Sequence, residues 1–207
     1  VSNFPTSSCN ADNDTDLLVH YDFAGNANDK VRKYGDGRYD LSVASGGTIT
    51  FPNSRCTGNN AAYFNAGNGY AYNNSLNDDN ESNLFSSGNF TVSVWYYADP
   101  DMPNFSSLMS SRYVPETGND GGNWSWQLDS SGGKLRWRSA IGDTNNKLHT
   151  VASSAYPTNS WNHAAFVKHD NGTSQVYMNG SLSKTSSSGS NQRTPLEALK
   201  IGTNRRE

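Results

Sequence analysis

The chain has 207 residues, 33% of them hydrophobic and 12% aromatic, and a net charge of −3 at pH 7. This length is typical of a single domain with a substantial core. The weakly acidic charge, without a long Lys or Arg cluster, argues against nucleic-acid binding. No apolar run approaches the roughly 18 residues of a membrane-spanning helix. Only 17% of residues are charged. Abundant Asn, Ser and Gly, together with many aromatic residues, favour an all-β protein with many turns.

Two cysteines, Cys9 and Cys56, lie in polar, turn-rich stretches. A disulfide between them explains this better than two buried free thiols, which remain the alternative. A disulfide would place the protein in an oxidising compartment, so we expect a secreted or cell-surface protein. We expect residues 1–16 to form an irregular arm tethered by the disulfide, and residues 17–207 to form the main domain.

Hydrophobic alternation of period two recurs along the chain, whereas no segment keeps a helical period beyond one turn. About eleven short strands are predicted, drawn from residues 17–23, 48–51, 61–64, 69–72, 90–97, 107–113, 124–128, 135–138, 148–152, 161–169, 174–179 and 199–202. Residues 129–133 are predicted as a five-residue hairpin loop, Asn171-Gly172 as a hairpin turn, and residues 183–194 as a flexible loop. Such a series of strands predicts a β-sandwich or jelly roll.

Six sequence motifs resemble, in order, those of the laminin-G-like, concanavalin A-like jelly-roll domains. They are LLVHYDFAGNAND at 17–29, AAYFNAGNGY at 61–70, FTVSVW at 90–95, WNHAAFV at 161–167, VYMNG at 176–180 and LKIGT at 199–203. The resemblance implies a two-sheet antiparallel β-sandwich over residues 17–203. It does not fix a function, because lectins, adhesion modules, carbohydrate-binding modules and enzymes share this fold.

The family normally continues into one more strand after the Ile-Gly motif at Ile201-Gly202. Without that last strand, we expect an unpaired sheet edge beside residues 17–23. Another protein chain could add a strand there, so an adhesion or assembly domain is the second hypothesis for the function.

The resemblance also implies one structural Ca²⁺ ion in the region of Asp29. Asp22 and Asp29 are the candidate ligands, because carboxylate oxygens suit this cation.

Catalytic patterns of jelly-roll enzymes are not found in the sequence. Glycosidases need two carboxylates, one as acid and one as nucleophile or base. Glutamate occurs only in loop-like contexts, at Glu81, Glu116, Glu197 and Glu207. No strand carries the His and Tyr pattern of a lyase. We therefore expect no enzymatic activity, and a jelly-roll enzyme that degrades polysaccharides is the third hypothesis.

Carbohydrate binding needs aromatic faces and planar polar groups. Strand alternation predicts that Trp126 and Trp137 point into the core, and that Gln127, Arg136 and Arg138 point outward on the same sheet as Trp95. Such a groove would stack a sugar ring on Trp95 and hold a carboxylate or sulfate with the two arginines. Arg112 and Tyr113 are candidates for its rim. The sequence therefore predicts a non-catalytic extracellular carbohydrate-binding module, with an acidic polysaccharide as one candidate ligand. An ordinary hydrated sheet face remains the alternative.

Overall fold

The structure is a computed structural model of the chain. It describes residues 19–21, 23, 25–28, 30, 37, 39–44, 49–51, 61–64, 69–74, 89–101, 106–112, 124–140, 147–187 and 199–204. None of these residues belongs to a helix with the length and apolar character needed to cross a membrane. The chain divides into two compact units, Val1–Ser75 and Leu76–Glu207.

The described residues form thirteen β-strands and no helix. In the first unit these are β1 (Ser42–Val43), β2 (Ile49–Thr50), β3 (Tyr63–Phe64) and β4 (Ala71–Asn73). In the second unit they are β5 (Phe90–Ala98), β6 (Ser106–Arg112), β7 (Trp124–Ser131), β8 (Lys134–Ala140), β9 (Lys147–Val151), β10 (Ser160–Lys168), β11 (Thr173–Met178), β12 (Ser181–Ser187) and β13 (Leu199–Asn204). The predicted all-β class is confirmed.

The first unit contains two short antiparallel pairs, β1 with β4 and β2 with β3. The strand predicted at residues 17–23 is wrong for the described residues 19–21 and 23. Phe23 has a φ of 53°, which is not an extended conformation, and the amide of Lys30 donates to the carbonyl of His20 (2.9 Å). The described residues therefore provide no strand beside the predicted open edge, and that edge stays a prediction.

The second unit contains two antiparallel sheets. Within it, one sheet has the strand order β13-β6-β7-β8-β9, and the other has the order β12-β11-β10-β5. β5 and β10 pair along their full length, from Ala98 opposite Ser160 to Phe90 opposite Lys168. Both strands are rich in β-branched and aromatic residues, which favour this pairing. The predicted antiparallel sandwich is confirmed.

A stack of aromatic rings joins the two sheets of the second unit. Trp137 in β8 and Phe166 in β10 are fully buried, and their rings are stacked with centroids 3.4 Å apart and planes 7° apart. Phe90 in β5 lies against both rings, at 6.1 and 5.9 Å. The predicted inward position of Trp137 is therefore confirmed, and its alternation partner Leu135 is buried as well.

The β7–β8 hairpin turns more tightly than predicted. β7 continues to Ser131 and β8 begins at Lys134, so only Gly132 and Gly133 form the turn. Their φ angles are 58° and 72°. Two consecutive residues with positive φ match the twist of paired strands, and glycine adopts this conformation without steric cost. The prediction of a five-residue loop at 129–133 is wrong, because the strands extend into it.

A second tight hairpin, which the sequence does not predict, joins β11 to β12 through Asn179 and Gly180. The φ angles of these two residues are also positive, 49° and 81°. The flexible loop predicted at 183–194 is wrong over residues 183–187, which lie in β12. β12 is rich in serine and has little hydrophobic alternation, which explains why the sequence pattern did not indicate it. Its backbone pairing with β11 makes it a strand.

Lys168 lies on the inward side of β10 with only 1% of its surface exposed. Its Nζ donates to the carbonyl oxygen of His169 (3.2 Å). Burial lowers the pKa of Lys168, and the nearby charge of Asp170 opposes this shift. The unfolded chain therefore binds this proton more tightly than the folded chain. The charge costs stability at neutral pH, and the cost disappears as the pH rises through the lowered pKa toward 10.5.

Replacing Trp137 with Ala should lower the free energy of unfolding by about 3–5 kcal/mol, because it leaves a cavity between the sheets. Urea denaturation measures this loss. Trp95→Ala, which removes an exposed ring of the same type, is the matched control and should cost under about 1 kcal/mol. Equal losses for the two variants would contradict the packing described above.

Replacing Lys168 with Met should raise the free energy of unfolding at pH 7 by about 1–2 kcal/mol, because a buried charge becomes an apolar chain of similar length. The gain over the wild type should shrink as the pH rises toward 10.5, where the wild-type lysine loses its proton in both states. Urea denaturation at a series of pH values tests both effects. Lys184→Met, on exposed strand β12, should change little, and destabilisation by Lys168→Met at pH 7 would refute the argument.

Candidate functional site

The outward face of β5 carries two exposed aromatic side chains. Along this strand, Val92, Tyr96 and Ala98 are buried, whereas Trp95 and Tyr97 are 37% and 50% exposed. Successive side chains of a strand point to opposite faces, so the buried set forces Trp95 and Tyr97 toward solvent. Exposed aromatic side chains mark an interaction site when they form part of a larger contiguous patch.

The register between β5 and β10 adds two further rings to this face. His163 lies opposite Trp95, and Trp161 lies opposite Tyr97. The Trp95 and His163 ring centroids are 4.9 Å apart, and the Tyr97 and Trp161 rings meet edge to face at 5.8 Å. We call these four side chains, Trp95, Tyr97, Trp161 and His163, the aromatic surface. Neighbouring rings restrict each other's side-chain rotamers.

Uncharged polar groups border the aromatic surface. Ser93 Oγ lies 2.8 Å from His163 Nε2. On β11, the hydroxyl of Tyr177 donates to Oε1 of Gln175 (3.2 Å), and His169 Nε2 lies 3.1 Å from the same oxygen. Serine, tyrosine, histidine and amide groups can all exchange hydrogen bonds with a hydroxylated ligand.

Arg136 and Arg138 do not share a sheet with Trp95, so the predicted groove is wrong. They lie in β8, whereas Trp95 lies in β5 of the other sheet. Their side chains are also buried, with 9% and 4% exposed. The alternation correctly predicts that the two arginines and Trp137 lie on opposite faces of β8. Alternation does not show which strands share a sheet or whether a face is covered by other residues.

The side chains of the remaining predicted site residues lie outside the described part of the structure. By backbone register, Gln127 in β7 lies opposite Arg138, and Arg112 lies at the end of β6. Both strands belong to the sheet of the arginines, so the predicted placement of Gln127 and Arg112 in a groove with Trp95 is wrong too. Tyr113, the candidate Ca²⁺ ligands Asp22 and Asp29, and the two cysteines Cys9 and Cys56 are not described at all. Their predicted roles stay predictions. The described residues contain no group of three or more His, Cys, Asp or Glu side chains that could hold a metal ion.

Of the aromatic surface, the sequence predicts Trp95 as a site residue, whereas Tyr97, Trp161 and His163 are not predicted. Tyr97 has the same parity as Trp95 in β5, so alternation alone could have found it. Trp161 and His163 could be assigned to this surface only from the register between β5 and β10, which the sequence does not specify. His163 is partly exposed and contacts Trp95.

Solved structures with a fold similar to this chain include the following three domains. Domain 4 of AbnA, a GH43 extracellular arabinanase from Geobacillus stearothermophilus solved in complex with arabinotriose, has a TM-score of 0.66 and 18% identity, covering 91% of this chain and 84% of that one. The botulinum neurotoxin serotype D binding domain has a TM-score of 0.63 and 16% identity over 90% of this chain. The binding domain of Paraclostridial Mosquitocidal Protein 1 has a TM-score of 0.58 and 16% identity over 86% of this chain. This chain spans 43% and 42% of the two toxin domains, respectively.

No curated protein sequence matches the chain. At the level of families, residues 65–207 match the concanavalin A-like lectin/glucanases superfamily. The match includes β5 and β10, which carry the aromatic surface, and it agrees with the two antiparallel sheets of the second unit. The chain therefore belongs to the concanavalin A-like lectin/glucanases superfamily.

Proposed function

We propose that this protein is a non-catalytic carbohydrate-binding module and that it binds glycans on the aromatic surface. The exposed rings of Trp95 and Tyr97 carry this proposal, each packed against a partly buried ring of β10 on the same sheet face, His163 and Trp161 respectively. A sugar ring has an apolar C–H face and polar edges. Aromatic rings with hydrogen-bonding groups at their border are complementary to that combination.

The arrangement of the rings lowers the cost of binding. Trp95 lies against His163, and Tyr97 lies against Trp161, so these side chains lose little rotamer freedom when a ligand covers them. A ligand gains apolar contact with rings that are already oriented. Small clusters of ordered aromatic residues of this kind supply much of the affinity in binding sites.

The similar structures support a binding role. One of them, domain 4 of the arabinanase, was solved with arabinotriose, and the other two are binding domains of toxins. The identities of 16–18% show a shared fold and do not transfer a ligand. An arabinose oligosaccharide is nevertheless a reasonable first probe.

The chemistry of the surface favours binding over hydrolysis. Glycosidases of the common type need two carboxyl groups, roughly 5–10 Å apart, on either side of the bond that they cleave. The outward positions of β5 and β10 carry Thr, Ser, Ala, Val, His and aromatic residues, and none of these is a carboxylate. Ser93 and His163 give the surface a polar pair that can orient a hydroxyl group.

The proposal includes a location outside the cell. An oxidised Cys9–Cys56 pair would fit an extracellular module that is part of a larger secreted or surface protein. Mass spectrometry of the non-reduced protein, which detects the cross-linked peptides, tests the disulfide.

Trp95→Ala and Trp161→Ala should each weaken glycan binding about tenfold, equivalent to about 1.4 kcal/mol, because each removes one stacking face. A glycan array that includes arabinotriose and linear arabinan identifies the probe, and isothermal titration calorimetry measures the affinities. Tyr63→Ala is the control, since Tyr63 is an exposed aromatic residue of β3 in the first unit, away from β5 and β10 in the chain.

The control should bind like the wild type. Failure of the wild type to bind any glycan on the array would contradict the proposed function. Unchanged affinity in both tryptophan variants would show that glycans bind elsewhere.

A further inference from the structure

Resting on the proposed function, we infer that the aromatic surface takes an uncharged glycan, with one sugar ring seated over Ala165 beside Trp95. Three properties of the face lead to this assignment: the absence of charged side chains at its outward positions, the small side chains at its centre, and the direction of its hydrogen-bonding groups. Each concerns side chains that the structure describes.

The face lacks the charges that an acidic glycan would require. The outward positions of β5, β10 and β11 carry only Thr, Ser, Ala, Val, Gln, His and aromatic side chains, although 17% of the chain is charged. A uronate or sulfate placed here would lose water without gaining a permanent cation as a partner, which is costly. The exposed Asp99 and Asp101 follow β5 directly, and their negative charges would repel an anionic ligand further.

Arginine does not supply the missing charge. Arg136 and Arg138, whose pairing with a carboxylate would favour an acidic ligand, are buried in the other sheet. Lys168 points inward from β10 and is buried too. These three cations are therefore directed away from the aromatic surface, and the outward positions of β5, β10 and β11 carry neutral groups. Lys184 in β12 lies opposite Val176, whose side chain is buried, and not opposite an outward residue of β11.

Small side chains at the centre of the face leave room for one sugar ring. Ser93, Ala165 and Tyr177 are opposite one another on neighbouring strands, and the adjacent rung carries Trp95 and His163. Adjacent outward rungs are roughly 7 Å apart along a strand. The small side chains of Ser93 and Ala165 thus form a low floor, which the Trp95–His163 pair borders along the strands and Tyr177 borders across them. One sugar ring would lie on this floor.

Hydrogen-bonding groups at this seat are directed toward a neutral, hydroxylated ligand. Oε1 of Gln175 already accepts a hydrogen bond from Tyr177 and lies close to His169 Nε2. The amide NH₂ of Gln175 is then the part of this side chain that can donate to a ligand. Ser93 can accept or donate next to His163. These groups suit hydroxyls, which both donate and accept, better than they suit a charged group.

The test compares polymers that share a backbone and differ in charge and in the methyl group of the ester. Methyl-esterified and de-esterified homogalacturonan share one backbone, and a wider glycan array carries other neutral and acidic pairs. The wild-type protein should prefer the neutral member of each pair that it binds, by at least tenfold. Binding should change by less than about twofold between 50 and 500 mM NaCl, since no ion pair is screened.

Substitution at the seat tests its position. Ala165→Leu should weaken binding of the neutral glycan at least tenfold by filling the floor, and Gln175→Ala should weaken it less. Thr50→Leu, at an exposed position of β2 in the first unit, is the control and should bind like the wild type. The thermal midpoint of each variant shows that the outward substitution leaves the fold intact.

The possible failures are distinguishable. Preference for the acidic polymers with strong salt dependence would overturn the uncharged class and leave the proposed function standing. Neutral glycan binding that Ala165→Leu does not weaken would overturn the seat. Absence of binding to every glycan would overturn the proposed function itself, and this inference with it.

Discussion

The aromatic stack between the two sheets determines what the second unit can present to solvent. Trp137, Phe166 and Phe90 lock the inward faces of β8, β10 and β5 against each other. Once Phe90 and Phe166 point inward, strand alternation forces the odd-numbered residues of β5 and β10 outward. The exposed position of Trp95 follows from the burial of Phe90. The surface that we propose to bind glycans is thus a consequence of how the core packs.

The same constraint explains how far the sequence predicts the structure. Alternation around Trp137 indicates correctly that this residue is buried, and alternation in β5 indicates correctly that Trp95 is exposed. Sheet membership, however, depends on long-range pairing. The strands that carry Arg136 and Trp95 have equally regular patterns, and nothing local shows that they belong to different sheets. The predicted strands β7 and β8 are also shorter than the observed ones, and β12 is not predicted. The reason is that Gly132, Gly133 and the serine-rich segment resemble loop sequences.

The correction at Arg136 and Arg138 changes the expected ligand. From the sequence, two neighbouring arginines in a weakly acidic chain indicate an acidic polysaccharide. Their burial withdraws that argument, and the neutral character of the β5, β10 and β11 face replaces it. Arrays of neutral polar groups around exposed rings bind through shape, apolar contact and hydrogen bonds, whose strength depends little on salt. Specificity would then arise from the seat at Ala165 and from Gln175.

The central claim is that a glycan contacts the outward face of β5 and β10. The most direct measurement is NMR titration of the ¹⁵N-labelled protein with a glycan that it binds, following the indole N–H signals of its tryptophans. The account predicts that the signals of Trp95 and Trp161 shift with ligand concentration, whereas that of buried Trp137 does not. Shifts confined to residues away from this face, with Trp95 and Trp161 unchanged at saturation, would contradict it.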